Sequence, residues 1–238
     1  MTTAPRAYSV VLDWLEEQLR SGEIVVGDKL PGERALAEQF SISRASVREA
    51  TRILDAMGLV RSGVGSGPNA GAIVISEPSA ALAWALRMHV ATRALPVRDL
   101  VQTRLLLETQ AAHDSADPRI APDSEERAAI LRSAGEVLDQ MDHPGLPAAD
   151  FHALDAQFHI LLISLAGNVV VETMMASLRQ ATISYISETV ANNPDWPAIA
   201  RRLQEQHRAI LAAVEKRQGA QAAELLREHI TWFSQLGG

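Results

Sequence analysis

A chain of 238 residues, 47% apolar and with a net charge of −7, is long enough to fill two modest cores. It contains no cysteine, which excludes disulfides and thiolate metal sites, so any metal must be held by histidines and carboxylates. No apolar run approaches the ~20 residues that cross a bilayer and the N-terminus lacks a signal pattern, so a cytoplasmic protein with no membrane partner is expected.

Met1–Arg6 reads as a frayed tail. Tyr8, Val11, Leu15 and Leu19 then mark an amphipathic helix closed by Gly22. After a connection over Glu23–Asp28, the stretch Leu30–Gly63 reads as two helices joined by a tight turn. The first, Glu33–Phe40, turns Leu36, Ala37 and Phe40 inward. The second, Arg44–Met57, places Val47, Ala50, Leu54 and Met57 on one face and Arg44, Arg48 and Arg52 along the opposite ridge. Ser41 and Ser43 precede its first turn and can cap it. On pattern alone this is either a helical hairpin with a solvated basic face or a helix-turn-helix whose second helix enters a major groove.

Up to Val74 the chain carries 8 basic and 9 acidic residues, and the remainder carries 14 and 20. The first part is not basic overall, so its arginines must act by placement rather than through a bulk field. Gly58–Val60 and Ala72–Ile75 are β-prone pieces around a Gly-rich turn, a two-stranded wing. Pro78 bars a helix from continuing out of the wing. The expected organisation is residues 1–75 as one domain, 76–79 as linker and 80–238 as a second domain.

Leu30, Pro31, Glu33, Arg34, Leu36 and Ala37, then Ser43, Arg44, Val47, Arg48 and Ala50, then Gly58-Leu59-Val60, resemble the winged helix-turn-helix domain of GntR-family bacterial transcription regulators. The resemblance covers about the first 75 residues and implies that Arg34, Arg44 and Arg48 touch double-stranded DNA, with Ser43 and Ser46 at the phosphate side of the helix start. Gly32 stands where the family usually has a Ser N-cap, and the wing after Arg61 is longer than usual.

Beyond Ser79 the pattern is helical throughout: Ala80–Thr92, Val97–Ser115, Glu125–Met141 with Asp123 and Ser124 as caps, Ala148–Ala166, Val169–Val190 up to the Asn192-Asn193-Pro194 loop, Asp195–Arg217 and Ala220–Gln235. Short loops make this an antiparallel bundle. The fold class is therefore mainly α, a winged helix-turn-helix followed by an all-α bundle.

Polar residues on inner helix faces carry the functional signal. Asp155 and His159 are four apart on a face shared with apolar Leu162 and Ala166. His207 and His229 are each about eleven residues from the turn near Gly219, so in a hairpin they stand at one height. One carboxylate and three imidazoles suit zinc or a similar divalent ion. His152, two turns before His159 on the same face, is a rival ligand. Arg104 and Glu108 lie on the apolar face of Val97, Val101 and Ala111, either as an internal ion pair or with Arg104 forked onto a ligand carboxylate.

Phe151-His152-Ala153-Leu154-Asp155, Phe158-His159, Gly167-Asn168, His207 and His229 resemble the ligand-sensing FCD domain of the FadR subgroup, over roughly Ala80 to Phe233. The resemblance implies metal ligands Asp155, His159, His207 and His229, which favours His159 over His152, and a small organic-acid effector whose carboxylate reaches the metal; Arg104 and Glu108 match the family's effector-binding pair. Zinc, nickel and manganese all suit the ligand set. The reading is a non-enzymatic DNA-binding regulator, a repressor by family analogy, that meets an inverted-repeat operator as a homodimer. The alternatives are a regulator with a purely structural metal and a metal-dependent hydrolase; against the latter, no carboxylate beside the ligand motif offers an obvious general base.

Overall fold

The computed structural model describes residues 6–63, 71–190 and 195–236; the start of the expected N-terminal tail, the Gly-rich turn of the wing and the Asn192–Pro194 loop lie outside the described residues. The fold is mainly α, with one two-stranded antiparallel sheet, and the chain divides after Leu82 into two compact units.

In the first unit, α1 (Ser9–Ser21), α2 (Glu33–Phe40) and α3 (Arg44–Ala56) precede β1 (Val60–Gly63) and β2 (Gly71–Val74). Val11, Leu36, Ala37, Val47 and Ala50 form one buried cluster, and Leu15, Leu30, Leu54, Val60 and Val74 a second. Each large aliphatic side chain so buried contributes about 1.5–3 kcal/mol. Ser43 caps α3, its hydroxyl accepting the Ser46 N–H at 3.1 Å. Ser41 does not share that role: at φ 54° it ends α2 in the left-handed region. Met57 falls beyond the last turn of α3 and is 51% exposed, so it leaves the apolar face expected for it.

The first strand starts two residues later than the sequence pattern places it, because Gly58 is consumed in the turn out of α3, and the second starts one residue earlier, at Gly71. Val60 pairs with Val74 and Gly63 with Gly71, and both valines turn into the core. Segment 27–30 lies along the other edge of β2, with Leu30 N–H donating to Ala72 O at 2.8 Å and Val74 N–H to Asp28 O at 2.8 Å. Gly58, at φ 71°, is hard against the chain leaving the sheet: a Cβ there would lie 2.3 Å from the carbonyl oxygen of Glu77. Glu77 N–H donates to Gly58 O and Ile75 N–H to Leu59 O, both at 2.9 Å.

The second unit is helical wherever it is described. α4 (Pro78–Ala91) crosses the division, and α5 (Val97–Ser115), α6 (Glu125–Met141), α7 (Ala148–Ser164), α8 (Val169–Val190), α9 (Trp196–Glu215) and α10 (Gly219–Gln235) follow. Pro78 opens α4 rather than preceding it, since the first helical N–H has no intrahelical partner to lose. α5 packs along α10, and α7 lies between α6 and α8. Phe151, Phe158, Leu162, Leu203, Ile210 and Leu226 centre the core. Gly219 lets α10 begin against α5: a Cβ there would lie 2.7 Å from His113 O. Among the described residues no helix is long and apolar enough to cross a membrane.

Candidate functional site

Helix α7 presents Asp155 and His159 one turn apart, α9 presents His207 and α10 presents His229. Their four candidate ligand atoms lie within 4.8 Å of one another, and His159, His207 and His229 are buried. The hairpin geometry expected for the last two helices holds: the His207 and His229 rings are 4.6 Å apart at their centroids.

Partners fix the tautomers. His159 Nδ1–H donates to Glu108 Oε2 at 2.7 Å and His229 Nδ1–H to Gln206 Oε1 at 3.0 Å, which leaves both Nε2 atoms as lone-pair acceptors. Asp155 Oδ1 lies 3.1 Å from His207 Nε2 and 3.7 Å from His159 Nε2. The His207 approach lacks hydrogen-bonding geometry, and neither ring nitrogen of that buried histidine has a hydrogen-bond partner. Burial, with Arg179 beside it, pushes His159 down to about 4, and burial with the neighbouring imidazoles pushes His229 well below its usual value. Both are neutral at pH 7, as metal binding requires. Two ligand atoms each about 2.1 Å from one tetrahedral ion are about 3.4 Å apart, so the widest pair of the cluster has to draw in by about an ångström or more to share one. The cluster is a possible His/Asp metal site.

Around it lies a buried charge network. Glu108, fully buried, accepts from Arg104 Nε at 2.8 Å and from Arg179 Nη2 at 2.8 Å, besides His159. Burial alone would raise its pKa, but Arg179, Arg104 and His159 outweigh that and hold it well below the carboxylate range. Asp155, opposed in the same way by burial, is held low by His159, His207 and Arg179, whose Nη1 donates to it at 3.0 Å. Two guanidiniums and two carboxylates therefore cancel.

The network borders a cavity of about 360 Å³ in the second unit, lined by its Arg104, Asp155 and His229 and by both apolar side chains such as Val101, Leu105 and Phe233 and polar ones such as Gln102 and Thr182. Arg104 is Glu108's ion-pair partner, the first of the two readings given for it, and it also lines the cavity. Glu108 lies behind it, bonded to Arg104, Arg179 and His159. His152, the rival ligand, stands apart from the cluster in the cavity wall, beside Trp196 at a ring distance of 5.1 Å.

Sequence reasoning missed Arg179 and Gln206. Arg179 lies four residues after Met175, and Gln206 three after Leu203, each on a stripe of buried apolar residues. The test that singled out Arg104 would have found both.

In the first unit, Ser43, Arg44 and Arg48 stand exposed at the start of α3, with Ser46 half-buried among them. Arg48 Nη1 is 3.6 Å from Glu33 Oε2, and Arg34 Nε bonds Glu38 Oε1 at 2.8 Å, both across solvent-exposed positions. Such exposed pairs are worth little and are readily exchanged for a stronger anion.

Comparison with known proteins covers both units. Residues 7–68 match the model of bacterial regulatory proteins of the gntR family, and residues 99–231 match the FCD domain. The chain is 31% identical to the HTH-type transcriptional regulator LutR of Bacillus subtilis over 90% of its own length and 93% of the relative's. It is 29% identical to the HTH-type transcriptional repressor NanR of Salmonella newport, over 94% of this chain and 83% of that one. A solved GntR structure from Streptococcus agalactiae shares the fold, with a TM-score of 0.61 at 22% identity over 95% of this chain and 96% of that one.

Proposed function

The chain belongs to the GntR family of bacterial regulatory proteins, in the FadR-like group that carries an FCD domain, and from that premise we propose that it is a metal-dependent, organic-acid-responsive repressor acting as a homodimer in the cytoplasm. It is a transcription regulator and not an enzyme. We assign DNA reading to residues 1–75 and sensing to residues 80–238, joined by 76–79. Arg44 and Arg48 reach base edges from the start of α3, Arg34 supports them from α2, and Ser43 and Ser46 approach the phosphates. A single recognition helix reads only a few base pairs, so a two-fold dimer on an inverted-repeat operator supplies the remaining specificity. The adjacent Val169 and Val170 at the start of α8, each more than 70% exposed, support a protein partner for the sensing unit.

The observation that carries the sensing half is the shared lining: Arg104, Asp155 and His229 border one cavity. Asp155, His159, His207 and His229 would hold the ion, zinc being our assignment, with nickel and manganese compatible. When bound, the ion supplies a Lewis-acidic anchor for an anionic oxygen. Because the four fixed charges of the buried network already cancel, a divalent ion leaves an excess of positive charge there, and a small carboxylate neutralises it. The Arg104 guanidinium forks onto that carboxylate and orients it, while Val101, Leu105 and Phe233 offer contact to its carbon chain. Repression follows the Salmonella relative named as a repressor. The deciding experiment is a gel shift of zinc-loaded and chelator-stripped protein on DNA upstream of its own gene, titrated with a panel of small acids. An acid response that needs zinc is expected; a response independent of the metal would make the ion structural.

A further inference from the structure

Resting on the carboxylate reading above, we propose that His152 selects the effector, its Nε2 hydrogen-bonding a hydroxyl on the acid's carbon chain. His152 lines the same cavity as Arg104 and Asp155 but takes no part in the cluster of candidate metal ligands. It is 95% buried, being 5% exposed, and its Nε2 has no hydrogen-bond partner. A buried polar atom left unpaired is rare and costly, and on a side chain that lines a cavity it can be satisfied by what fills the cavity once the ring turns towards it.

The ring is held in place by aromatic neighbours, with Phe151, Trp196 and Phe233 at centroid distances of 6.1, 5.1 and 6.1 Å. Burial pushes its pKa down, so the imidazole is neutral and suits an uncharged group rather than a second carboxylate. A hydroxyl both donates and accepts, and therefore serves either tautomer. His152 lies three residues before Asp155 on α7, about 4.5 Å along the helix axis. An acid whose carboxylate sits against Arg104 and Asp155 shares the cavity with His152, and its chain can extend to the imidazole. A volume of about 360 Å³ leaves room for that extension.

The test uses the full chain loaded with zinc, and straight-chain acids of three to six carbons, each with and without a hydroxyl, followed by calorimetry. Wild type should favour one hydroxy acid over its plain counterpart by about fivefold or more. His152→Phe, which fills the same space without a nitrogen, should bring that ratio close to one while keeping zinc and still binding the plain acid. His152→Gln, which keeps a polar atom at similar reach, should restore part of the preference. An unchanged ratio in His152→Phe would overturn the proposal and leave His152 a packing residue or the holder of a water. Loss of zinc from His152→Phe would also overturn it, by making His152 part of the ligand set. If wild type binds every acid and its hydroxylated form equally, the selection by His152 fails while the carboxylate reading stands. If it binds none of them, the carboxylate reading itself fails and the proposal falls with it.

Discussion

His159 Nε2 lies 3.2 Å from His229 Nε2, and neither nitrogen carries a hydrogen to share, because Glu108 and Gln206 hold the protons on the opposite side of each ring. Two lone pairs facing each other in a buried site repel. A cation between them reverses the sign of that contact, and the two outer partners raise the basicity of both rings towards it.

Metal removal should therefore be felt in stability. Stripping the ion with a chelator should lower the melting temperature, and restoring zinc at a hundredfold excess over Kd should raise it by about 5–10 °C. His207→Ala and His229→Ala should lose most of the metal, whereas His152→Ala should keep it. Elemental analysis of the purified variants checks this, and retention by both ligand variants would remove the site.

Glu108→Gln tests the outer support. The amide keeps the shape but cannot balance Arg104 and Arg179, which both donate to Glu108. Zinc affinity should fall about 10- to 100-fold, and breaking a buried ion network should cost about 3–5 kcal/mol. Competition with a chelating dye and a denaturant titration read the two effects separately.

Arg104→Ala should separate sensing from metal binding. Glu108 retains Arg179 and His159, so the cluster survives and zinc content should not change. The response of operator binding to acids should vanish, a loss of about 1–3 kcal/mol of coupling. A variant that responds like wild type would reduce Arg104 to an ion-pair partner.

On the DNA side, Arg44→Ala and Arg48→Ala should each weaken operator binding by about 1–3 kcal/mol. Folding should be spared, because both side chains are exposed and off the face carrying Val47, Ala50 and Leu54. Gel-shift titration at fixed salt measures the first effect and thermal melting the second.

Much of the site was legible because helical periodicity converts spacing into direction. Asp155 and His159 at four residues, and His207 and His229 at equal distances from Gly219, could be brought together without coordinates. Arg179 and Gln206 carry the same local mark as Arg104, a polar side chain on an apolar stripe, but their partners, Asp155, Glu108 and His229, lie on other helices, and no local rule states which helices meet. Two of the misplacements in the first unit, Met57 and the strand start, share one physical source, the turn out of α3. Gly58 is spent there in the left-handed region, so Met57 swings outward and the first strand starts at Val60. The cap assigned to Ser41 went to Ser43 alone because α2 needed a left-handed ending.

The close approach of Gly58 to Glu77 has a mechanical side. The peptide that leaves β2 is bonded twice to the end of α3, through Glu77 to Gly58 and Ile75 to Leu59, and Pro78 starts α4 at the very next residue. There is no slack between the last turn of the helix carrying Arg44 and Arg48 and the first turn of the helix that runs on past Leu82. The turn out of α3 and the first residue of α4 are thereby held as one piece within the first unit. Gly58→Ala, which forces about 1–3 kcal/mol of backbone strain and pushes on the Glu77 carbonyl, would loosen that hold.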